Sequence, residues 1–86
     1  INENDPNLAI TFNNLATVYN KMDNLEEALK YYFKSVKIEK NHFGEKSFEC
    51  ATTYNNIGIV YDNLNNFENA IEFFVNSIAM REEISD

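Results

Sequence analysis

Residues 12–19, Phe-Asn-Asn-Leu-Ala-Thr-Val-Tyr, return 42 positions later as residues 54–61, Tyr-Asn-Asn-Ile-Gly-Ile-Val-Tyr. The correspondence extends without a gap from residues 5–44 to residues 47–86. The identical pairs are Ala9/Ala51, Thr11/Thr53, Asn13/Asn55, Asn14/Asn56, Val18/Val60, Tyr19/Tyr61, Asn24/Asn66, Glu26/Glu68, Ala28/Ala70 and Ser35/Ser77. A period between about 20 and 50 residues is typical of solenoids built from stacked supersecondary units. We therefore predict one domain over residues 1–86 that contains two tandem repeats.

The net charge of the chain argues against polyanionic partners. The 86 residues carry a formal charge of −7, divided into −1 for residues 1–43 and −6 for residues 44–86. Such a surface repels phosphate groups, so we expect neither nucleic acid nor an anionic membrane as a partner. A hydrophobic content of 44% indicates a folded domain.

Cysteine usage and hydropathy favour a cytoplasmic location. Cys50 is the single cysteine, which excludes an intrachain disulfide, and no Asn-x-Ser/Thr glycosylation signal is present. No apolar run approaches the roughly 18 residues of a membrane span. Because the chain begins at Ile1, we interpret it as an excerpt of a longer array.

Helix signals divide the chain into four helices. Asp5 and Ser47 are typical N-cap residues at helix starts, and Pro6 follows Asp5 at the first helical position. Asn24 and Asn66 are predicted to cap the second and fourth helices, the former with Glu27 in a capping box. Apolar residues at spacings of three and four predict helix ends near Met22, Leu64 and Ile84. Gly58, in the middle of the third helix, indicates a close helix crossing. The sequence therefore predicts an all-α fold of two helix-turn-helix units.

The repeated pattern resembles the tetratricopeptide repeat. It comprises Phe12, Leu15, Ala16, Tyr19, Ala28, Tyr32 and Ser35, and its copy comprises Tyr54, Ile57, Gly58, Tyr61, Ala70, Phe74 and Ser77. The period of 42 residues exceeds the usual 34 and is similar to the longer variety found in kinesin light chains, whose loop is partly kept in residues 44–48. The resemblance implies an α-solenoid, as a fragment of a right-handed superhelix, and a non-catalytic role in binding proteins.

The same resemblance implies that the first helix of each repeat lines a concave groove. The candidate groove residues are Ile10, Asn13, Asn14, Thr17, Lys21, Thr52, Asn55, Asn56, Ile59 and Asn63. The amides of Asn14 and Asn56 offer a donor and an acceptor together, which suits the backbone of an extended peptide. Alternatively, the Asn residues solvate an exposed face or brace neighbouring helices, and the repeats serve as a structural scaffold. A third reading is a peptide-sensing regulatory domain within a larger protein.

Other binding chemistries lack the residues they need. A clamp for a terminal carboxylate requires fixed positive charge, and Lys21 is the one cation among the groove residues. His42 has no second histidine or cysteine pair beside it, so we predict no metal site and no cofactor. Cys50 lies on the predicted core face, where a small buried hydrophobe is favoured over a nucleophile. We expect no catalytic residue.

Two further surfaces are candidates for contacts. Because about three repeats are normally needed to bury a solenoid core, we predict a self-association surface at the uncovered last helix, formed by Phe73, Phe74, Ile78 and Met80. A homo-oligomer is therefore a candidate assembly. Phe33 and Val75 lie at the edge of the outer face and are candidates for an outer contact, whereas Lys30, Lys34 and Lys37 are interpreted as a solvated stripe.

Overall fold

The computed structural model describes residues 5–85, and these form four α-helices. The helices are α1 (Pro6–Lys21), α2 (Leu25–Phe43), α3 (Phe48–Asn63) and α4 (Phe67–Ser85). Helix α1 packs on α2 and α3 on α4 as two hairpins, while α2 packs on α3 and joins the hairpins into one stack. Residues 5–85 contain no strand. The predicted all-α fold of stacked helix-turn-helix units is confirmed, and the three predicted helix ends differ from the observed ones by one residue each.

The same turn ends the first helix of each hairpin. Asp23 and Asn65, which are 42 residues apart, both adopt left-handed backbone conformations, with φ of 63° and 61°. Asn24 N donates to Tyr19 O at 2.9 Å, and Asn66 N donates to Tyr61 O at 2.9 Å. These bonds define a Schellman motif, which satisfies the last carbonyls of a helix and reverses the chain within two residues. The repeat in the sequence is therefore a repeat in backbone geometry.

The four predicted N-cap residues differ in whether their side chains bond to the start of the helix. Asp5 accepts a hydrogen bond from Asn7 N at 2.9 Å, and Ser47 accepts one from Cys50 N at 3.1 Å, so both predicted caps are confirmed. Asn66 accepts a long bond of 3.4 Å from Asn69 N. The predicted side-chain cap at Asn24 is wrong, because its side chain makes no cap bond. Its backbone ψ of 74° falls short of the extended values of 121° at Asp5 and 159° at Ser47, which aim a capping side chain at the helix.

Small residues allow the helices to approach closely. The buried core contains Ala9, Ala16, Ala28, Ala51 and Ala70 together with the larger Tyr32, Val36, Ile38, Ile57 and Val60. Gly58 continues this pattern, because a Cβ atom added there would lie 2.7 Å from two ring carbons of Phe74. The close crossing predicted at Gly58 is therefore present, and the ring of Phe74 occupies the space that a side chain would need.

Candidate functional site

Seven of the ten predicted groove residues are exposed on α1 and α3. These are Ile10, Asn14, Lys21, Thr52, Asn55, Ile59 and Asn63. Asn13, Thr17 and Asn56 are half-buried. Within residues 5–85, the side chains of Asn14 and Asn56 form no hydrogen bond, so both amides are available to another molecule. Ile10 and Ile59 add exposed apolar surface on the same two helices.

Two of the exposed groove residues already have polar partners. Asn63 Nδ2 donates to Asn20 Oδ1 at 3.0 Å, which links the C-terminal end of α3 to that of α1. Arg81 Nη2, from α4, donates to Thr52 Oγ1 at 2.9 Å. Sequence reasoning did not identify Arg81, which brings a second cation to the α3 side of the candidate groove.

Asn13 is directed into the packing between helices. Its Nδ2 donates to Ser35 Oγ at 2.6 Å and to Thr53 Oγ1 at 3.1 Å. The Ser35 hydroxyl donates in turn to Ala9 O at 2.8 Å, and the Thr53 hydroxyl donates to Glu39 Oε1 at 2.6 Å. Asn13 therefore braces α1, α2 and α3, which is the alternative that the sequence left open for this face.

Thr17 is likewise engaged in the fold. Its hydroxyl donates to Asn13 O at 2.9 Å and lies 2.7 Å from the hydroxyl of Tyr32. The hydroxyl hydrogen of Tyr32 can satisfy that second contact, so Thr17 has little capacity left for a ligand. Asn13 and Thr17 are best described as supports beneath the exposed residues of α1.

The bracing network contains a buried carboxyl group. Only 6% of Glu39 is exposed, and the loss of hydration raises the pKa of its carboxyl to about 7, against hydrogen bonds from Thr53 and Asn13 that lower it. The nearby charge of Glu49 on α3 raises the pKa of Glu39 further. The sequence did not predict the burial of Glu39, although Glu39 follows Tyr32 and Ser35 at helical spacings of seven and four residues.

A tie between the two helices recurs in each hairpin. Ser77 Oγ donates to Ala51 O at 2.7 Å, matching the bond from Ser35 Oγ to Ala9 O at 2.8 Å. All four residues lie at positions that are identical in the two repeats. The repetition of serine therefore reflects a structural bond, whereas Asn14 and Asn56 recur without one within residues 5–85.

The predicted self-association and outer surfaces are only partly open. Phe73 and Phe74 are half-buried, because Phe73 stacks on Tyr61 with ring centroids 5.6 Å apart and Phe74 covers Gly58. Met80 is also half-buried, whereas Ile78 and Val75 are exposed. Phe33 is partly covered, since its ring packs in a T-shaped arrangement with that of Phe73, with ring centroids 5.9 Å apart. The open apolar surface of α4 therefore consists of the predicted Val75 and Ile78 together with Phe67 and Ile71, which were not predicted.

A cavity of about 300 Å³ lies away from the candidate groove. It is lined by Lys40, Glu45, Lys46, Tyr54, Asn76, Ala79, Met80 and Glu83, none of which is a groove residue. Two of its cations are already engaged, since Lys46 Nζ pairs with Glu83 at 2.7 Å and Lys40 Nζ lies 5.3 Å from the ring centre of Tyr54. We therefore retain the exposed faces of α1 and α3 as the candidate site.

Ionisable groups outside the groove give little sign of chemistry. Cys50 is buried, and the loss of hydration raises the pKa of its thiol, which disfavours a nucleophilic thiolate. Within residues 5–85, no three His, Cys, Asp or Glu side chains are placed to hold a metal ion. In that same part of the chain, no helix is both long enough and apolar enough to cross a membrane.

Comparison with known families agrees with the stacked hairpins. A family model described as tetratricopeptide repeat matches residues 7–83, which span all four helices. No curated protein gives a significant match. Tetratricopeptide repeats generally mediate protein–protein interactions and are not catalytic. The chain therefore belongs to the tetratricopeptide repeat family.

Proposed function

We propose that this chain binds an extended peptide segment of another protein across the exposed faces of α1 and α3. The observation that carries the proposal is the pair Asn14 and Asn56, identical residues 42 positions apart whose amides have no hydrogen bond within residues 5–85. A carboxamide can pair with both the N–H and the C=O of a peptide backbone. One such contact per repeat binds a peptide backbone largely independently of the side chains of the peptide.

Residues around the Asn pair supply selectivity in this proposal. Ile10 and Ile59 offer exposed apolar surface, and Lys21 offers a positive charge at the end of α1. Asn55 and Asn63 are exposed on α3 and extend the polar surface. These residues favour a peptide with mixed apolar and polar side chains.

Electrostatics sets the expected dependence on salt. Asn14 and Asn56 are neutral, so their hydrogen bonds respond little to screening by mobile ions. Lys21 and Arg81 are the cations next to the proposed contacts, against a net charge of −7 for the chain. We therefore expect only a mild change in peptide affinity between low and high salt, in contrast to a site that clamps a terminal carboxylate.

The experiment begins by selecting peptides that bind the chain. A random peptide library displayed on phage is panned against the immobilised 86-residue chain, and an enriched peptide is measured by calorimetry. Asn14→Ala and Asn56→Ala should each weaken that peptide by about 5- to 100-fold, because a peptide amide loses its partner in a partly desolvated groove. The free energy of unfolding should barely change in either variant.

Asn76→Ala is the matched control. Asn76 is an exposed asparagine on α4, outside the proposed groove, so its removal should leave peptide affinity unchanged. If Asn14→Ala and Asn56→Ala bind the enriched peptide as tightly as the unchanged chain does, the groove proposal fails. The repeats are then better described as a scaffold.

We further propose that the chain is of the longer, kinesin light chain-like variety and works in the cytoplasm. The period of 42 residues supports the first statement, and the reduced, buried Cys50 supports the second. An alignment with a neighbouring repeat of the same length tests the variety. Fluorescence microscopy of the tagged chain tests the location.

A further inference from the structure

The two ends of the stack expose residues whose repeat partners are buried in its centre. Val60 of α3 is completely buried, whereas the identical Val18 of α1, 42 residues earlier, is 51% exposed. Thr53 is likewise buried and Thr11 exposed. The residues are the same, so the difference comes from α2, which covers this face of α3 and has no counterpart over α1 within residues 5–85.

Helix α4 shows the complementary difference. Val36 of α2 is 6% exposed, and Ile78, its match on α4, is 56% exposed. Ile71 and Phe67 are also exposed, although their matches, Leu29 and Leu25, are half-buried. Each end of the stack thus presents one half of the α2–α3 interface that the chain already forms internally.

We propose that the chain associates head to tail with a second copy of itself, so that α1 of one copy packs on α4 of the other as α3 packs on α2. The occupant follows from the internal repeat, because α1 and α4 are the sequence copies of α3 and α2. In this arrangement Val18 of the second copy lies against the half-buried Phe74, since Val60 packs in one cluster with its match, Tyr32. Of the proposed groove residues, this surface uses Asn55 alone.

Polar groups at the two ends fit the same register. Within the chain, Thr53 accepts a hydrogen bond from Asn13 at 3.1 Å. Asn55 is the match of Asn13 and is exposed, and Thr11 is the match of Thr53 and is exposed. In the head-to-tail contact, Asn55 donates to Thr11 of the second copy. Arg81 is the match of Glu39, so a guanidinium stands at this level in place of a carboxyl, and it donates to Thr52 of its own copy at 2.9 Å.

Charge favours this arrangement over a symmetric contact between two α4 helices. Residues 1–43 carry −1 and residues 44–86 carry −6. A symmetric α4 contact brings two strongly acidic halves together, whereas a head-to-tail contact brings an acidic half against a nearly neutral one. The contact is heterologous, so further copies can add to either end.

Sedimentation of the 86-residue chain over a range of concentrations tests the proposal. The weight-average mass should rise with concentration from the monomer value of 10.0 kDa to beyond twice that value. Val18→Asp and Ile78→Asp should each hold the chain at the monomer mass. An equimolar mixture of these two variants should form a one-to-one dimer and nothing larger, because each variant retains one intact face.

Control variants separate this result from loss of folding. Ile10→Asp places the same charge at an exposed isoleucine whose match, Thr52, stays exposed in the stack, so association should persist. Thr11→Glu and Ile71→Glu repeat the test at second exposed sites on each face, and circular dichroism verifies the helices. A chain that stays monomeric overturns the proposal, and so does an equimolar mixture of the two variants that forms no dimer. Association that Ile78→Asp abolishes but Val18→Asp leaves intact also overturns it, because that pattern indicates a symmetric α4 contact. Neither result bears on the peptide groove.

Discussion

Replacing the buried carboxyl of Glu39 with an amide should change how stability depends on pH. Loss of hydration raises the pKa of Glu39 to about 7 in the folded chain, above its ordinary value of 4.5. The folded state therefore holds a proton that the unfolded state has released between these values, and stability falls as pH rises through this window. The contribution is fully present below pH 4.5 and is lost above about pH 7.

The size of the effect follows from the shift in pKa. Each unit corresponds to about 1.4 kcal/mol, so the unchanged chain should lose up to about 3 kcal/mol of unfolding free energy between pH 4.5 and pH 8 from this group. Glu39→Gln has no proton to lose, and its amide oxygen can still accept from Thr53. At pH 8 the variant should be the more stable of the two, and near pH 4.5 the two should be nearly equal.

Urea unfolding followed by far-ultraviolet circular dichroism at several pH values measures this difference. Other ionisable groups, including Glu49 and the general repulsion within a chain of net charge −7, act in both proteins. The difference between their pH profiles therefore isolates Glu39. Parallel pH profiles for the two proteins refute the reasoning. A chain with Glu39 that becomes more stable relative to Glu39→Gln as pH rises refutes it as well.

Two further predictions concern packing and capping. Gly58→Ala should lower the free energy of unfolding by about 1 to 2 kcal/mol, because overpacking against the Phe74 ring at 2.7 Å exceeds the gain in helix propensity. Adding Phe74→Leu should recover part of that loss in urea unfolding, and a Gly58→Ala chain as stable as the original contradicts the close crossing. Ser47→Ala should lower the free energy of unfolding by about 1 kcal/mol, because it removes the bond to Cys50 N. Asn24→Ala should change that free energy by less than about 0.5 kcal/mol, because Asn24 has no cap bond to lose. Equal losses in these two variants, measured by the same unfolding, argue against the difference in cap geometry.

The architecture could be predicted from the sequence because the residues that recur after 42 positions are largely the residues that pack between helices. Apolar residues recur at matched positions, and the structure places them in matched helices, with the same Schellman turn at Asp23 and Asn65. The cap at Asn24 was predicted wrongly because residue type alone does not reveal the backbone ψ that aims the side chain. That angle depends on the turn immediately before it.

The polar residues of α1 were harder to predict, because hydropathy does not separate a solvated amide from a buried one. Asn13 and Asn14 are adjacent and both recur after 42 residues, yet Asn13 is bonded to Ser35 and Thr53 while Asn14 is exposed. Which amide turns inward depends on the serine and threonine that other helices bring to it. The burial of Glu39 has the same origin, since its partners lie on α1 and α3.

Nuclear magnetic resonance mapping of a bound peptide tests the central claim most directly. A peptide enriched by panning is added to the isotopically labelled chain, and the shifts of the backbone and side-chain amides are followed. The account predicts that the largest changes fall on α1 and α3, with the side-chain amides of Asn14 and Asn56 among them. Changes concentrated on the outer faces of α2 and α4, with those two amides unmoved, would contradict it.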